Sequence, residues 1–320
     1  MPFINHYCPD MAKNIIIVGG QGFAGLTLLK HLNGLYDKIH VLTRHPLIND
    51  SSNKTTYHHV NNLQGKNLDN LLAQCTAVIY LASDSTPGSS AGQPLFELHN
   101  NIQPAFEFIE HLQQHHPIHF IYVSSGGAIY DTRYYLDQPI TEDHLISPPS
   151  YYGAGKVAIE AFLMAFSHQF NHPVTLLRPS NFYGVGQPRK KDFGLIRTIF
   201  DRLITNQPIE IWGDGENKRD YIYIDDFAQA CIACLNNPPS KTTHIFNVGS
   251  GFGYSINEIC SKIEAVTSMS LTREYKSPRT VDIRKITLNY RHLHQITGWI
   301  TTVTLDEGLN RMWTWLQSQQ

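Results

Sequence analysis

Short β-branched apolar runs recur through the first half of the chain, separated by longer segments with helical spacing. The runs fall at Ile15 to Val18, Ile39 to Thr43, Ala77 to Leu81, His119 to Ser124 and Val174 to Leu177. An uninterrupted apolar run suits a strand buried on both faces. Alternation of such runs with helical segments predicts a parallel sheet covered by helices on each side.

After Asn181 the pattern changes. Pro188 to Gly194 reads as a basic, glycine-containing loop, and Pro208 to Gly213 as a short strand. Ile245 to Gly249 reads as a strand returning to the main sheet. The fold class expected is therefore α/β, a doubly wound parallel sheet with a smaller, interleaved C-terminal lobe over the strand ends, where such sheets bind ligands. Residues 1–10 form an N-terminal extension, because Met11-Ala-Lys-Asn leads straight into the first strand. Residues 11–180 make the sheet domain; residues 181–320 make the lobe, interleaved with returning sheet elements at about 225–250.

Composition narrows the function classes. The 320 residues are 42% apolar and 16% charged, enough for a full core in one large domain or two closely joined ones. A net charge of −2 gives no electrostatic case for nucleic acid or an anionic membrane, so an anionic substrate must meet local basic residues. No apolar run reaches the ~18 residues needed to cross a bilayer, and the N-terminus lacks an apolar signal core, so a cytoplasmic protein is expected. Of five cysteines only Cys231 and Cys234 are close, within the apolar helical stretch Phe227 to Leu235; they read as reduced core thiols, and no metal site is expected.

Two constellations carry chemistry. The run Asn14 to Val18 ends in Gly19-Gly20-Gln21-Gly22-Phe23-Ala24-Gly25, a strand, turn and helix start whose glycines let backbone N–H groups approach a pyrophosphate. Among sixteen tyrosines only Tyr152 has a lysine four residues on, Lys156. Four residues along a helix is one face. A neighbouring ammonium favours the phenolate of a group whose ordinary pKa is near ~10, which suits carbonyl and alcohol interconversion with a nicotinamide.

Five motifs follow one another in order: Gly19-x-x-Gly22-x-x-Gly25, Ser124-Ser-Gly-Gly-Ala-Ile-Tyr130, Tyr152-x-x-x-Lys156, Arg178-Pro-Ser-Asn-Phe-Tyr-Gly184 and Arg219-Asp-Tyr-Ile-Tyr-Ile-Asp-Asp226. With them the chain resembles the extended short-chain dehydrogenase/reductases, and within these the NAD-dependent epimerases and dehydratases of nucleotide sugars, typified by the UDP-glucose 4-epimerases. The likeness runs from about residue 13 to the last helix. It implies a Rossmann domain, a nucleotide-sugar substrate, NAD or NADP as cofactor, a homodimer built on the apolar helix after Tyr152, and a place in polysaccharide biosynthesis.

The resemblance also assigns residues. It puts the dinucleotide against Gly19, Gly22, Phe23, Ala24, Gly25, Thr43, Arg44, Asn62, Leu63, Leu81, Ala82, Ser83, Asn101, Tyr152 and Lys156. Where the family commonly has an acid for the adenosine ribose stands Thr43, followed by Arg44, a cation able to meet the 2′-phosphate of NADP. The hydroxyl that orients the reacting oxygen falls on Ser125, with Ser124 as the alternative, since the commonest spacing from Tyr130 lands on Gly126. Asn181, Arg219 and Arg279 match diphosphate ligands, and two guanidiniums suit a pyrophosphate through their forked donors. Leu195 and Trp212 fall where the family encloses the base, and Ile286 where some relatives carry a bulky tyrosine against N-acetylhexosamines.

The activity these implications favour is 4-epimerisation of a UDP-hexose or UDP-N-acetylhexosamine through a transient 4-keto intermediate. Two alternatives stand beside it: an NADPH-dependent reductase of nucleotide 4-keto sugars, and a non-catalytic dinucleotide-binding regulatory protein. Ser125-Gly126-Gly127 argues against a 4,6-dehydratase, which resembles this pattern but carries Thr-Asp-Glu there.

Overall fold

The computed structural model describes residues 13–46, 54–60, 65–133, 138–189, 194–240, 243–278 and 284–319. Residues 1–10, where an extension was expected, lie outside them, as do positions 190–193 of the basic loop. The larger sheet contains β1 (Asn14–Val18), β2 (Lys38–Thr43), β3 (Thr55–His59), β4 (Cys75–Tyr80), β5 (His119–Val123), β6 (Val174–Pro179) and β10 (His244–Val248). These strands are all parallel, in the order β10-β6-β5-β4-β1-β2-β3.

Both faces of this sheet are buried, which is why its strands read as continuous apolar runs. Along β1, Ile15 and Ile17 enter one core with Leu28, Phe227 and Trp299, while Ile16 and Val18 enter the other with Phe108, Phe120 and Leu163. The first core is covered by α1 (Phe23–Leu32), α8 (Ile224–Leu235) and α10 (Arg291–Thr297). The second is covered by α2 (Lys66–Leu72), α4 (Gln103–Leu112) and α6 (Tyr151–Phe170). A short α3 (Pro94–Glu97) runs through a π-helical turn, Leu98–Ile102, into α4, and α5 (Gly126–Ile129) follows β5.

The smaller lobe pairs β7 (Asn181–Tyr183), β11 (Gly253–Ser255) and β13 (Lys285–Ile286) with β9 (Lys218–Tyr223). A second pair joins β8 (Ile209–Trp212) to β12 (Arg273–Lys276). The helices α7 (Leu195–Ile204), α9 (Ile256–Thr267) and α11 (Leu305–Gln317) enclose its core, around Phe200, Ile211, Ile263 and Met312. Two carboxylates stitch the chain where lobe and sheet meet. Asp220, wholly buried, accepts from the N–H groups of Ser250, Gly251 and Leu288 and from the Ser250 hydroxyl. Asp226, in the first turn of α8, accepts from the Thr301 and Thr302 hydroxyls and the N–H groups of Thr302 and Val303. Among the described residues no helix is long and apolar enough to cross a membrane.

Candidate active site

In the sheet order the chain reverses direction between β1 and β4, and there the two strand ends leave a crevice. Gly19 leaves β1 with φ of +81°, and a Cβ there would lie 2.9 Å from the Ala82 backbone. Glycine alone permits that approach. A Cβ on Gly25 would lie 2.5 Å from Gly20, so the tight turn fixes that residue too. Gly22, the N-cap of α1, has no such crowding; its Cβ position is 3.4 Å from the Gly19 carbonyl. The helix starts without a side-chain cap or an acidic residue in its first turn. Its first N–H groups, at Phe23, Ala24 and Gly25, therefore make an anion seat at the positive end of the helix dipole. These residues fit the diphosphate of a dinucleotide.

Around the adenosine side, Leu81 donates its N–H to Val18 and extends β4 along β1, which brings Ala82 and Ser83 beside the glycine turn. Thr43 is buried, its hydroxyl donating to Gln21 Oε1 at 2.7 Å and accepting from the His45 N–H. Arg44 does not stand alone: its guanidinium meets Asp84 at 2.5 Å, across from the end of β2 to the loop after β4. Asn101 turns inward and braces this same loop, accepting from the Asp84 N–H at 2.7 Å and donating to the Ser85 hydroxyl at 2.9 Å. Asn62 and Leu63 lie outside the described residues.

On α6, Ser150 caps the helix by accepting from the Gly153 N–H, which fixes the turn carrying Tyr152 and Lys156. The phenol of Tyr152 lies beside the Ser125 hydroxyl. Lys156, 5% exposed, donates to the Val123 carbonyl at 2.9 Å and lies 5.7 Å from the Tyr152 ring centre. Burial pushes the Tyr152 phenol up, the Ser125 side chain draws it down, and Glu97 pushes it up again. Burial pulls the Lys156 ammonium down to about 8, against the raising effect of Glu97 and Glu160. Burial is the largest of these influences and leaves the phenol raised; the Ser125 hydroxyl is the one that offsets it. Ser124 is buried, and its Oγ has no hydrogen-bond partner among the described residues. Gly126 is closed to a side chain, since a Cβ would come 2.5 Å from Leu288 and 2.8 Å from the Arg178 carbonyl. Position 126 therefore does not hold a hydroxyl-bearing side chain, nor the aspartate of a Thr-Asp-Glu motif, without displacing its neighbours.

On the lobe side, β7 lies beside β9, and Asn181 donates to the Asp220 carbonyl at 2.9 Å, next to Arg219. The Arg219 guanidinium donates to the Lys218 carbonyl at 3.0 Å. Leu195 begins α7 and packs against the lobe core, and Trp212 ends β8 with 37% of its surface exposed. Arg279 lies outside the described residues. Ile286 is 1% exposed, in a cluster with Tyr130, Ile140 and Leu288.

Sequence reasoning missed the supports beneath Tyr152. Ser90 Oγ accepts from the Tyr152 N–H at 3.1 Å, and Glu97, 3% exposed, lies against Gly155. The serine-rich stretch 83–90 and the second glycine inside Tyr-Gly-Ala-Gly-Lys were the available signals.

A sequence model of the NAD dependent epimerase/dehydratase family matches residues 15–249. The chain belongs to that family. Among its relatives, a UDP-glucose 4-epimerase of Mycolicibacterium smegmatis is 27% identical over 304 residues, covering 92% of this chain and 95% of that protein. A dTDP-4-dehydro-6-deoxyglucose reductase of Escherichia coli is 28% identical over 316 residues, covering 95% and 98%. The crystal structure of a Thermotoga maritima UDP-glucose 4-epimerase with UDP-glucose superposes with a TM-score of 0.84 at 26% identity, covering 96% of this chain and 99% of that one. The family thus holds both an epimerase and a reductase that match this chain along nearly its whole length.

Proposed function

We propose that the protein is a nucleotide-sugar 4-epimerase, acting on a UDP-hexose or UDP-N-acetylhexosamine with NAD. The observation that carries this reading is the grouping of Ser125 and the Tyr152 phenol with a buried Lys156, beside a glycine turn fitted to a diphosphate. A nicotinamide dinucleotide seated on the glycine turn at Gly19 to Gly25 would supply reversible hydride chemistry at the sugar carbon. Tyr152 accepts the proton of the C4 hydroxyl and later gives it back, and Ser125 holds that oxygen in line. Lys156, anchored on the Val123 carbonyl, offsets the phenolate charge. Arg219, Arg279 and Asn181 hold the diphosphate while the sugar turns, and Leu195 and Trp212 enclose the base.

The test is to supply UDP-glucose, UDP-galactose and their N-acetylhexosamine counterparts to the purified protein without added nicotinamide. Interconversion of C4 epimers with no net reduced cofactor supports the reading. The reductase of Escherichia coli favours a second one, reduction of a nucleotide 4-keto sugar. Stoichiometric loss of NADPH with such a substrate, and no epimers, would replace the first reading by the second.

The choice of cofactor turns on Arg44. Held by Asp84, both about two-fifths exposed, its guanidinium is engaged; NAD is the expected ligand, and Arg44→Ala should weaken NAD and NADP equally in calorimetric titrations. Asp84→Asn, which frees the cation, should improve NADP relative to NAD by about fivefold, because an exposed pair is worth at most ~1 kcal/mol. A selective loss of NADP in Arg44→Ala would show that the arginine reads a 2′-phosphate after all.

The proposal includes a homodimer. On the outer side of α6, Phe162 is 56% exposed and stacks on Phe106 of α4 at 4.1 Å between ring centres, with Met164 exposed nearby. A paired helix face of this kind suits a twofold contact with a second copy. Light scattering at micromolar concentration should give twice the chain mass; a monomer sinks the proposal.

A further inference from the structure

Within the Tyr152-to-Lys156 turn, position 155 is glycine, and the space a side chain would take is filled from another element. A Cβ on Gly155 would lie 2.6 Å from Glu97 Oε1 and 3.0 Å from Glu97 Cγ. Residues 152, 155 and 156 share a helix face, so the carboxylate at the end of α3 rests on the face that carries the redox pair. Its other oxygen accepts from the Ser85 hydroxyl at 2.6 Å. That hydroxyl accepts in turn from Asn101 Nδ2 at 2.9 Å, and Asn101 sits in the π-helical turn that follows Glu97. The carboxylate is therefore fixed from two sides, at 3% exposure.

A carboxylate taken out of water needs a counter-charge or it costs several kcal/mol. The charged and titratable groups around it are few. From α6 come Tyr152, Lys156 and Glu160, and Glu160 is already bound bidentately by Arg178 of β6. From β5 comes Tyr122, over whose ring the Lys156 ammonium lies at 5.1 Å. Asp84, in the loop that carries Ser85, is taken by Arg44. Of the cations here, Arg44 and Arg178 are each held by another carboxylate and only Lys156 is not; it makes no direct ion pair with Glu97, so the two act on each other through space, and its own hydrogen bond goes to a neutral carbonyl, that of Val123.

We propose that Glu97 is a positioning residue: wedged into the notch at Gly155 and tethered by Ser85 and Asn101, it is the counter-anion that keeps the buried Lys156 an ammonium. Gly155 is then required by the carboxylate rather than by the helix, whose interior glycine is otherwise destabilising relative to alanine. The inference rests on the reading of Tyr152 and Lys156 as the redox pair, but its sign is independent of the substrate. Lys156 is pulled toward neutrality by burial and held back first by Glu97. Removing that anion should let the lysine lose its proton at lower pH. The Tyr152 phenol, which Glu97 pushes up, should ionise more readily at the same time. The working window of the pair then moves to lower pH as a whole.

The experiment reads Lys156 directly. The protein as purified, labelled with ¹³C at lysine Cε, is titrated by NMR, the Lys156 signal being assigned by its absence in Lys156→Met. In Glu97→Gln, which keeps the size and a hydrogen bond to Ser85, the Lys156 midpoint should fall by about one pH unit, and both limbs of the kcat/KM profile should fall with it. If Glu97→Gln does not fold, Gly155→Ala serves: its Cβ displaces the carboxylate from the notch, and the midpoint should move in the same direction by a smaller amount. An unchanged midpoint overturns the proposal even if stability or turnover drops, because that pattern is one of packing alone. A lowered midpoint in a protein that turns over no nucleotide sugar upholds it and removes the epimerase reading instead.

Discussion

Tyr152→Phe should lower turnover by at least about a hundredfold, the range expected when a general base is lost, while dinucleotide binding stays within about twofold. The structure makes this a clean removal. The backbone of residue 152 is held by the Ser90 hydroxyl, the helix by its Ser150 cap, and Lys156 by the Val123 carbonyl. None of these involves the phenol oxygen, so the substitution deletes the proton acceptor beside Ser125 while the rest of the site stays in place. Initial rates with a C4-epimeric pair, together with calorimetric titration of NAD, check both halves. Ser125→Ala should cost less, because it removes the partner that draws the phenol down but leaves the base itself. Turnover of Tyr152→Phe near that of the parent would take Tyr152 out of the mechanism and leave the regulatory reading as the better one.

Much of this site was legible because its parts are local. The glycine turn is read from spacing, and the crowding at Gly19 and Gly25 gives the physical reason for two of its three glycines. The pairing of Tyr152 with Lys156 needs only one helical turn. The buried strands showed themselves as apolar runs because both of their faces are covered. Where one of these conditions fails, the reading fails. β3 was not foreseen: Thr55-Thr-Tyr-His-His59 lies at the sheet edge, partly exposed, and lacks the apolar run of an inner strand. Arg44 looked like a free cation because Asp84, forty residues on in sequence, reaches it only through the pairing of β1 with β2 and β4. Glu97 and Gly155 are separated by more than fifty residues, and nothing in either segment alone announces that one fills the space left by the other.

Arg178→Met should destabilise the protein by about 3–5 kcal/mol, the cost of leaving one member of a buried ion pair without its partner. Arg178 and Glu160 are 2% and 1% exposed. The guanidinium donates to both carboxylate oxygens, through Nη2 at 2.6 Å and Nε at 3.1 Å, and its remaining nitrogen reaches the Tyr130 hydroxyl at 2.9 Å and the Glu142 carbonyl at 3.2 Å. Tyr130 passes the chain on to Asn247 of β10, whose amide donates to the Ile140 carbonyl. One side chain thus joins α6, β6, β10 and the segment after β5. With the methionine in place, the Glu160 carboxylate has no cation and cannot reach water, so the single substitution strands a charge. The double variant Arg178→Met, Glu160→Leu removes the stranded charge together with its partner and should recover most of the loss. Thermal unfolding measures it: the single variant should melt on the order of 10 °C below the parent, with the double variant between them. A single variant within ~1 kcal/mol of the parent would mean that water reaches Glu160 and that the pair is not a buried one. Because Glu160 stands one turn beyond Lys156 on α6, the same stranded charge would also act on the lysine, raising its hold on the proton even as the fold around it weakens.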